Sequence, residues 1–209
     1  MRIGILGAGN MAGALGAKWV RAGHDVVIGA RSAERAEVLA KRIGARAGTF
    51  AEAAGHGDAV LSAVGHGAAA EVVGPAAERL AGKALLDCSN PIVPGPGGLM
   101  LTTGGGPSAA RALADAAPGA HVVKAFHLCA AEVWAGALAD GLAVPLCGDD
   151  ADALDVAGEL VADVGSVPLP VGGLERAGYL EATAAIVIGM WFAGQDPRTM
   201  LPLAENAHG

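Results

Sequence analysis

Short apolar runs alternate with stretches of helical period from the first residue of the chain. Ile3-Gly4-Ile5-Leu6 reads as a buried strand, and Met11 to Ala22 as a helix with Leu15, Trp19 and Val20 supplying apolar contacts. A second strand follows at Asp25 to Ile28. The next helix runs from Ser32, a natural N-cap, to Ile43, with Arg35, Ala36 and Leu39 at helical spacing. Further strands are predicted at Ala45 to Gly48, Asp58 to Ala63, Lys83 to Asp87, and His121 to Phe126. Gly65-His66-Gly67 reads as a turn. Ser89 to Pro107 reads as one long irregular loop, because it holds four of the eleven prolines. A loop of that length is usually functional or mobile. Ser108 to Ala117 is predicted helical. After it come a helix at Ala130 to Leu138, a strand at Ala143 to Cys147, a helix at Asp149 to Val164, a strand at Val167 to Val171, and a last helix from Leu174 to Ala193. The tail from Gly194 is polar and reads as loose.

Strand and helix in strict alternation imply an α/β fold, a Rossmann-type, doubly wound and mostly parallel sheet. We expect a nucleotide-binding domain over 1–140 and a small, largely helical C-terminal part over 141–209. The composition fits: 209 residues with 53% hydrophobic but only 3% aromatic side chains, so the core is built from small aliphatic groups. A net charge of -7 argues against nucleic acid as a partner, since phosphate backbones call for a basic surface. The cysteines are Cys88, Cys129 and Cys147, with no C-x-x-C pair. That argues against a disulfide framework or a zinc ribbon and suits reduced thiols in the cytoplasm. No His–carboxylate cluster has metal-ligand spacing, so no metal is expected. Asp149-Asp150 begins a helix and reads as a cap. The strand at residue 3 leaves no room for a signal peptide ahead of it. The apolar stretch Ala184 to Ala193 is far short of the roughly 20 residues of a membrane span. Being apolar nearly all round, that helix needs a cover: a second subunit is the natural one, burial within its own domain is the alternative, and Trp191 and Phe192 can also line a substrate cleft.

Chemistry enters at the first turn. Gly7-Ala8-Gly9-Asn10-Met11-Ala12 follows a strand and opens a helix, fitting G-x-G-x-x-[GA]. The first glycine permits the tight turn and the second keeps side chains away from a pyrophosphate. Ala12 lets the helix pack closely, and its N-terminus offers free N–H groups to the phosphates. At the end of the second strand an NAD site places a carboxylate; here the chain reads Ile28-Gly29-Ala30-Arg31-Ser32. Arg31, Ser32 and Arg35 suit a ribose 2′-phosphate, which a carboxylate would repel and a guanidinium pairs with bidentately. The competing reading makes Arg31 and Arg35 solvated surface arginines. NADP(H) is therefore the expected nucleotide. Asn90 can fix its loop or the nicotinamide ribose. His66 can touch the nucleotide or be a solvated loop residue. Cys88 has no evident base beside it and is a poor nucleophile.

Four segments together carry a family resemblance: Gly7-Ala8-Gly9-Asn10-Met11, Val27-Ile28-Gly29-Ala30-Arg31, Val122-Val123-Lys124-Ala125-Phe126-His127, and Leu146-Cys147-Gly148-Asp149-Asp150. The chain resembles the NADPH-dependent coenzyme F420 reductases, a group that also takes in the reductase domain of the STEAP metalloreductases. The resemblance implies a Rossmann domain with a small C-terminal domain, often dimeric, and direct hydride transfer between NADPH and a deazaflavin held in the cleft. It puts the phosphate loop on Ala8, Gly9, Asn10 and Met11. The 2′-phosphate contacts fall on Ala30, Arg31 and Arg35, and the ring-edge contacts near Ser62, Ala63 and Val64. The loop after the fifth strand falls on Ser89, Asn90 and Pro91, and the last turn on His127, Leu128 and Ala131. His127 is then the candidate catalytic contact, to a deazaflavin carbonyl or the nicotinamide, unless it is a structural histidine. Many relatives carry Asn at that position. Coenzyme F420 is thus the expected co-substrate. An imine, flavin or ferric chelate as acceptor stays open, as does a non-catalytic NADP-binding sensor.

Overall fold

A computed structural model describes residues 1–136 and 141–200. Ten strands are placed among the described residues: β1 (Arg2–Leu6), β2 (Asp25–Gly29), β3 (Arg46–Gly48), β4 (Ala59–Ser62), β5 (Ala84–Asp87), β6 (Ile92–Gly95), β7 (Gly98–Leu101), β8 (His121–Lys124), β9 (Ala143–Gly148) and β10 (Val167–Pro170). The helices are α1 (Asn10–Arg21), α2 (Ala33–Ile43), α3 (Phe50–His56), α4 (His66–Val73), α5 (Ala77–Leu80), α6 (Ala109–Ala116), α7 (Ala131–Ala135), α8 (Ala151–Asp163) and α9 (Ala177–Phe192).

Eight strands form one sheet in the order β10-β9-β8-β5-β4-β1-β2-β3. All neighbours run parallel except β8 and β9. Strand order therefore reverses between β1 and β4, and the carboxyl edge at that switch point is where α/β sheets bind ligands. The sheet continues across residue 140, since β9 and β10 join it through β8. The central strands β1, β2, β4, β5 and β8 are buried on both faces, whereas the edge strands β3 and β10 are largely exposed. Ile3, Ile5, Ile28, Leu61 and Leu86 pack with α1, α2, α7 and α8, while Leu6, Val27, Val60 and Leu85 pack with α3, α4 and α6. This is why the strands read as continuous apolar runs rather than alternating ones.

Four elements depart from the expectations, one of them the short helix α5 in a stretch with no expected element. Residues 50–56 form a helix, opened by a capping box in which Thr49 and Glu52 satisfy each other's backbone N–H. Gly65-His66-Gly67 is a helix start rather than a turn, with Gly65 as the cap of α4. The Ser89–Pro107 segment contains a hairpin, β6 paired antiparallel with β7. It stands apart from the large sheet, where prolines such as Pro94 do not interrupt a central ladder. The predicted helix from Ala130 is seen over Ala131–Ala135, with Gly136 as its C-cap; its expected end at Leu138 falls outside the described residues, as does most of the tail.

Candidate active site

The turn from β1 to α1 is held by its neighbours. Gly7 adopts φ +128°, and its N–H donates to the Gly29 carbonyl at 2.8 Å. A Cβ on Gly7 would lie 2.5 Å from the Ala63 carbonyl oxygen, so the turn needs glycine for both conformation and space. Gly9 is the N-cap of α1 and brings no side chain to it. A Cβ there would meet nothing within 4 Å, which leaves an open approach to the first helical N–H groups. No acidic side chain sits in that first turn. Ala8 and Met11 are half-buried and Asn10 is exposed. Asn10 and Ala131, the first residue of α7, line one depression of about 470 Å³ along α1.

Beside this turn, β2 ends at Gly29 and the chain passes through half-buried Ala30 to exposed Arg31. Ser32 caps α2, its Oγ accepting from the Arg35 N–H at 3.3 Å. The hydroxyl proton of Ser32 is then free to donate outward. Arg31 and Arg35 are both exposed. Neither has an ion pair among the described residues. Two guanidiniums without a carboxylate partner, next to a helix N-terminus, are chemically able to pair with a phosphate monoester.

The next strands along the carboxyl edge are β4, β5 and β8. Ser62, at the end of β4, is fully buried, whereas Ala63 and Val64 are half-exposed at the edge. The Cys88 thiol donates to the Ser62 carbonyl at 3.4 Å. Burial and the Asp87 charge push that thiol up to about 12, so it is no nucleophile at neutral pH. Asn90 donates from Nδ2 to the His127 carbonyl at 2.6 Å. His127 is 1% exposed, and burial, reinforced by the Lys124 charge, lowers its pKa to about 3. Its imidazole is neutral and offers one donor and one acceptor. Among the described residues, both ring nitrogens of His127, Oδ1 of Asn90 and Oγ of Ser62 are buried without a hydrogen-bond partner. Buried polar atoms are normally satisfied. Here the orphans gather at the ends of adjacent strands, as a site for a polar ligand would leave them.

Between Lys124 and His127 the chain bends at Phe126, which has φ +59°, a conformation bulky residues rarely adopt. Its ring is held edge-on by Trp19 and Trp134, with centroids 5.9 and 5.3 Å away. His66 shares a 3.1 Å hydrogen bond with Thr102, whose hydroxyl also donates to the Pro91 carbonyl. Asp150 caps α8 and Asp149 accepts from the Leu174 N–H, so both serve backbone. No metal-ligand cluster occurs among the described residues, and no helix there is long and apolar enough to cross a membrane.

Sequence reasoning did not find the cluster beneath this edge. Lys124 donates to Asp87 at 2.8 Å and lies 3.1 Å from Glu181, with all three side chains at most 1% exposed. Burial works against the ammonium, but the Asp87 and Glu181 carboxylates outweigh it and raise the lysine above its ordinary value. The available signal was a lysine inside an otherwise apolar strand, which requires buried counter-charges.

The fold and this edge agree with what the chain is similar to. It is 31% identical to the F420-dependent NADP reductase of Methanothermobacter marburgensis over 91% of this chain and 92% of that protein. The chain belongs to the F420-dependent NADP reductase family. It is an NADP-dependent oxidoreductase. The family model described as NADP oxidoreductase, coenzyme F420-dependent, matches residues 2–91, the stretch from β1 through Pro91. The chain is also 30% identical to the metalloreductase STEAP3 of Rattus norvegicus over 91% of its own length, but spans only 38% of that protein. Among solved structures, one described as an F420-dependent NADP-reductase from Arthrobacter sp. FB24 has a TM-score of 0.83 at 23% identity, covering 92% of this chain and 95% of that one. An imine reductase from Aspergillus terreus has a TM-score of 0.69 at 24% identity, covering 92% and 63%. These two likenesses speak to the fold.

Proposed function

We propose that the protein transfers hydride between NADP(H) and the deazaflavin coenzyme F420. The pyrophosphate lies against the α1 N-terminus at Gly7, Ala8, Gly9, Asn10 and Met11. Arg31, Ser32 and Arg35, with Ala30 beneath them, take the 2′-phosphate. From there the nucleotide crosses the switch point, so that Ala63 and Val64 border the nicotinamide. Strands are spaced by about 4.8 Å, which puts β8 roughly 14 Å from β1, within one sheet edge.

The nicotinamide supplies or accepts the hydride; the protein orients and shields. Asn90, tied to the His127 carbonyl, keeps Oδ1 free for the ribose or carboxamide. His127 stays neutral through the physiological range and holds a hydrogen bond to a ring carbonyl without exchanging a proton. Ser62 borders the ring edge with its Oγ, buried and unpartnered like the His127 ring nitrogens. Ala131 and Asn10 close the phosphate side. The observation that carries this reading is the neutral, unsatisfied imidazole of His127 on the same edge as the glycine turn and the two unpaired arginines. A homodimer closing over the exposed Ile186, Trp191 and Phe192 of α9, working in the cytoplasm, completes the proposal.

One observation favours a second reading. A cavity of about 490 Å³ lies between β7, the glycine loop after it, and α9. Its lining includes Glu175 and Glu181 and neither Lys nor Arg. A neutral or cationic acceptor, such as an imine, suits that cavity better than an anionic tail. Purified protein with NADPH is to be offered coenzyme F420, a cyclic imine, FMN and ferric citrate in turn. Loss of the nicotinamide absorbance only with F420 is expected. Turnover of the imine alone would favour the second reading, and tight NADPH binding with no acceptor reduced would point to a sensor.

A further inference from the structure

Glu181 sits in a helix that is otherwise almost wholly apolar, yet it is 1% exposed. Its two carboxylate oxygens accept the backbone N–H groups of Ala109 and Ala110 at 3.1 and 3.2 Å. These are the first residues of α6, so α9 caps α6 from outside. Oε1 also lies 3.1 Å from Lys124 Nζ. Lys124 donates in turn to Asp87 at 2.8 Å and to the Ser89 carbonyl. Asp87 accepts the Ser89 N–H at 2.9 Å. One ammonium and two carboxylates are thus buried together, and every partner is engaged. Well-packed apolar residues often stabilise a core as well as such a group does, so stability alone is a weak reason for it.

The cluster connects directly to the proposed site. Ser89 and Asn90 follow Asp87, and Phe126 and His127 follow Lys124. The bend at Phe126 is gripped by two indoles, and Asn90 holds the His127 carbonyl. We propose that Glu181 is a positioning residue: acting through Lys124, it sets the His127–Asn90 pair for hydride transfer. What the pair faces rests on the function proposed above. The coupling itself rests only on the contacts. If Glu181 loses its charge, Lys124 loses one of two counter-ions, and the segment leading to His127 is free to shift. Small misplacements of this kind cost rate far more than binding.

Glu181→Gln preserves shape and one of the two acceptor oxygens for the α6 N–H groups but removes the charge. NADPH affinity, fluorescence anisotropy of bound NADPH and the single-turnover rate to F420 are to be measured on the full chain. NADPH affinity is expected to stay within about threefold, since the phosphate grip lies on β1 and β2, well separated from the cluster. The anisotropy falls towards that of the free nicotinamide, and transfer slows by at least about tenfold. His127→Ala should behave alike, and the double variant should lose no more than the worse single one. Wild-type anisotropy and rate in Glu181→Gln, or losses that multiply, would overturn the proposal. Should that variant fail to fold, the combined Asp87→Asn, Lys124→Met and Glu181→Gln chain replaces the cluster with neutral groups. Undiminished anisotropy and transfer there would make the cluster structural only; impaired values at an unchanged melting temperature would support it. If the wild-type protein does not reduce F420, the functional reading fails while the anisotropy still decides the coupling.

Discussion

Arg31 carries a charge that no described side chain neutralises, beside a helix N-terminus that also favours anions. Charge-assisted hydrogen bonds of this kind contribute about 1.5–3 kcal/mol. Arg31→Ala is therefore expected to weaken NADPH binding by roughly tenfold to a hundredfold, about 1.4 kcal/mol for each factor of ten, and NADH binding hardly at all. Titration calorimetry with both nucleotides checks this, and equal losses would contradict the 2′-phosphate assignment. His127 makes a pH prediction. The unfolded chain protonates this histidine near pH 6.5, whereas burial lowers it to about 3 in the fold. Between those values the unfolded state binds more protons, so the contribution to stability is full above about pH 6.5 and is lost as the pH falls towards 3. His127→Gln should flatten urea-derived stability against pH over that window. A slope unchanged from wild type would show that His127 is not held neutral.

At the scale of elements, the β1–α1 turn leaves no room for a side chain at Gly7. Gly7→Ala adds a Cβ 2.5 Å from the Ala63 carbonyl oxygen at φ +128°, so the turn must open. NADPH affinity should drop by more than about tenfold, because the α1 N-terminus moves off the pyrophosphate. Unchanged affinity by calorimetry would mean that the nucleotide binds elsewhere. This turn was fully legible in the sequence, because glycine spacing, strand and helix lie within a dozen residues. The cap of α2 was legible for the same local reason. The hairpin of β6 and β7 was not. Its prolines read as loop punctuation, and only a pair outside the main sheet tolerates them. Helix α3 carried a readable signal in Thr49 and Glu52, but its seven residues show too little period to stand out. Helix α4 was hidden by Gly65 and Gly67, which look like a turn until Ala68–Val73 extend the helix. The candidate site was legible where chemistry is local, at Arg31 and Ser32. At Ser62 the position was legible but the side chain's burial was not, and Lys124, Asp87 and Glu181 meet only through tertiary packing.

At the scale of the whole molecule, one buried ammonium joins β5, β8, α6 and α9. Lys124→Met leaves Asp87 and Glu181 as unpaired buried charges, which costs about 3–5 kcal/mol. Urea unfolding should record that loss, and a change below about 1 kcal/mol, the range of exposed pairs, would show the cluster to be loosely held. The same sheet lays the arginines, the glycine turn, Asn90 and His127 along one edge, the arrangement direct transfer between two carriers calls for. The most direct test uses NADPH labelled with deuterium at C4 of the nicotinamide, in both epimers, mixed with oxidised coenzyme F420 and the wild-type protein. Mass spectrometry of the reduced deazaflavin should find the deuterium from one epimer and not from the other. Reduced deazaflavin without label from either epimer, or no reduction at all, would contradict the account.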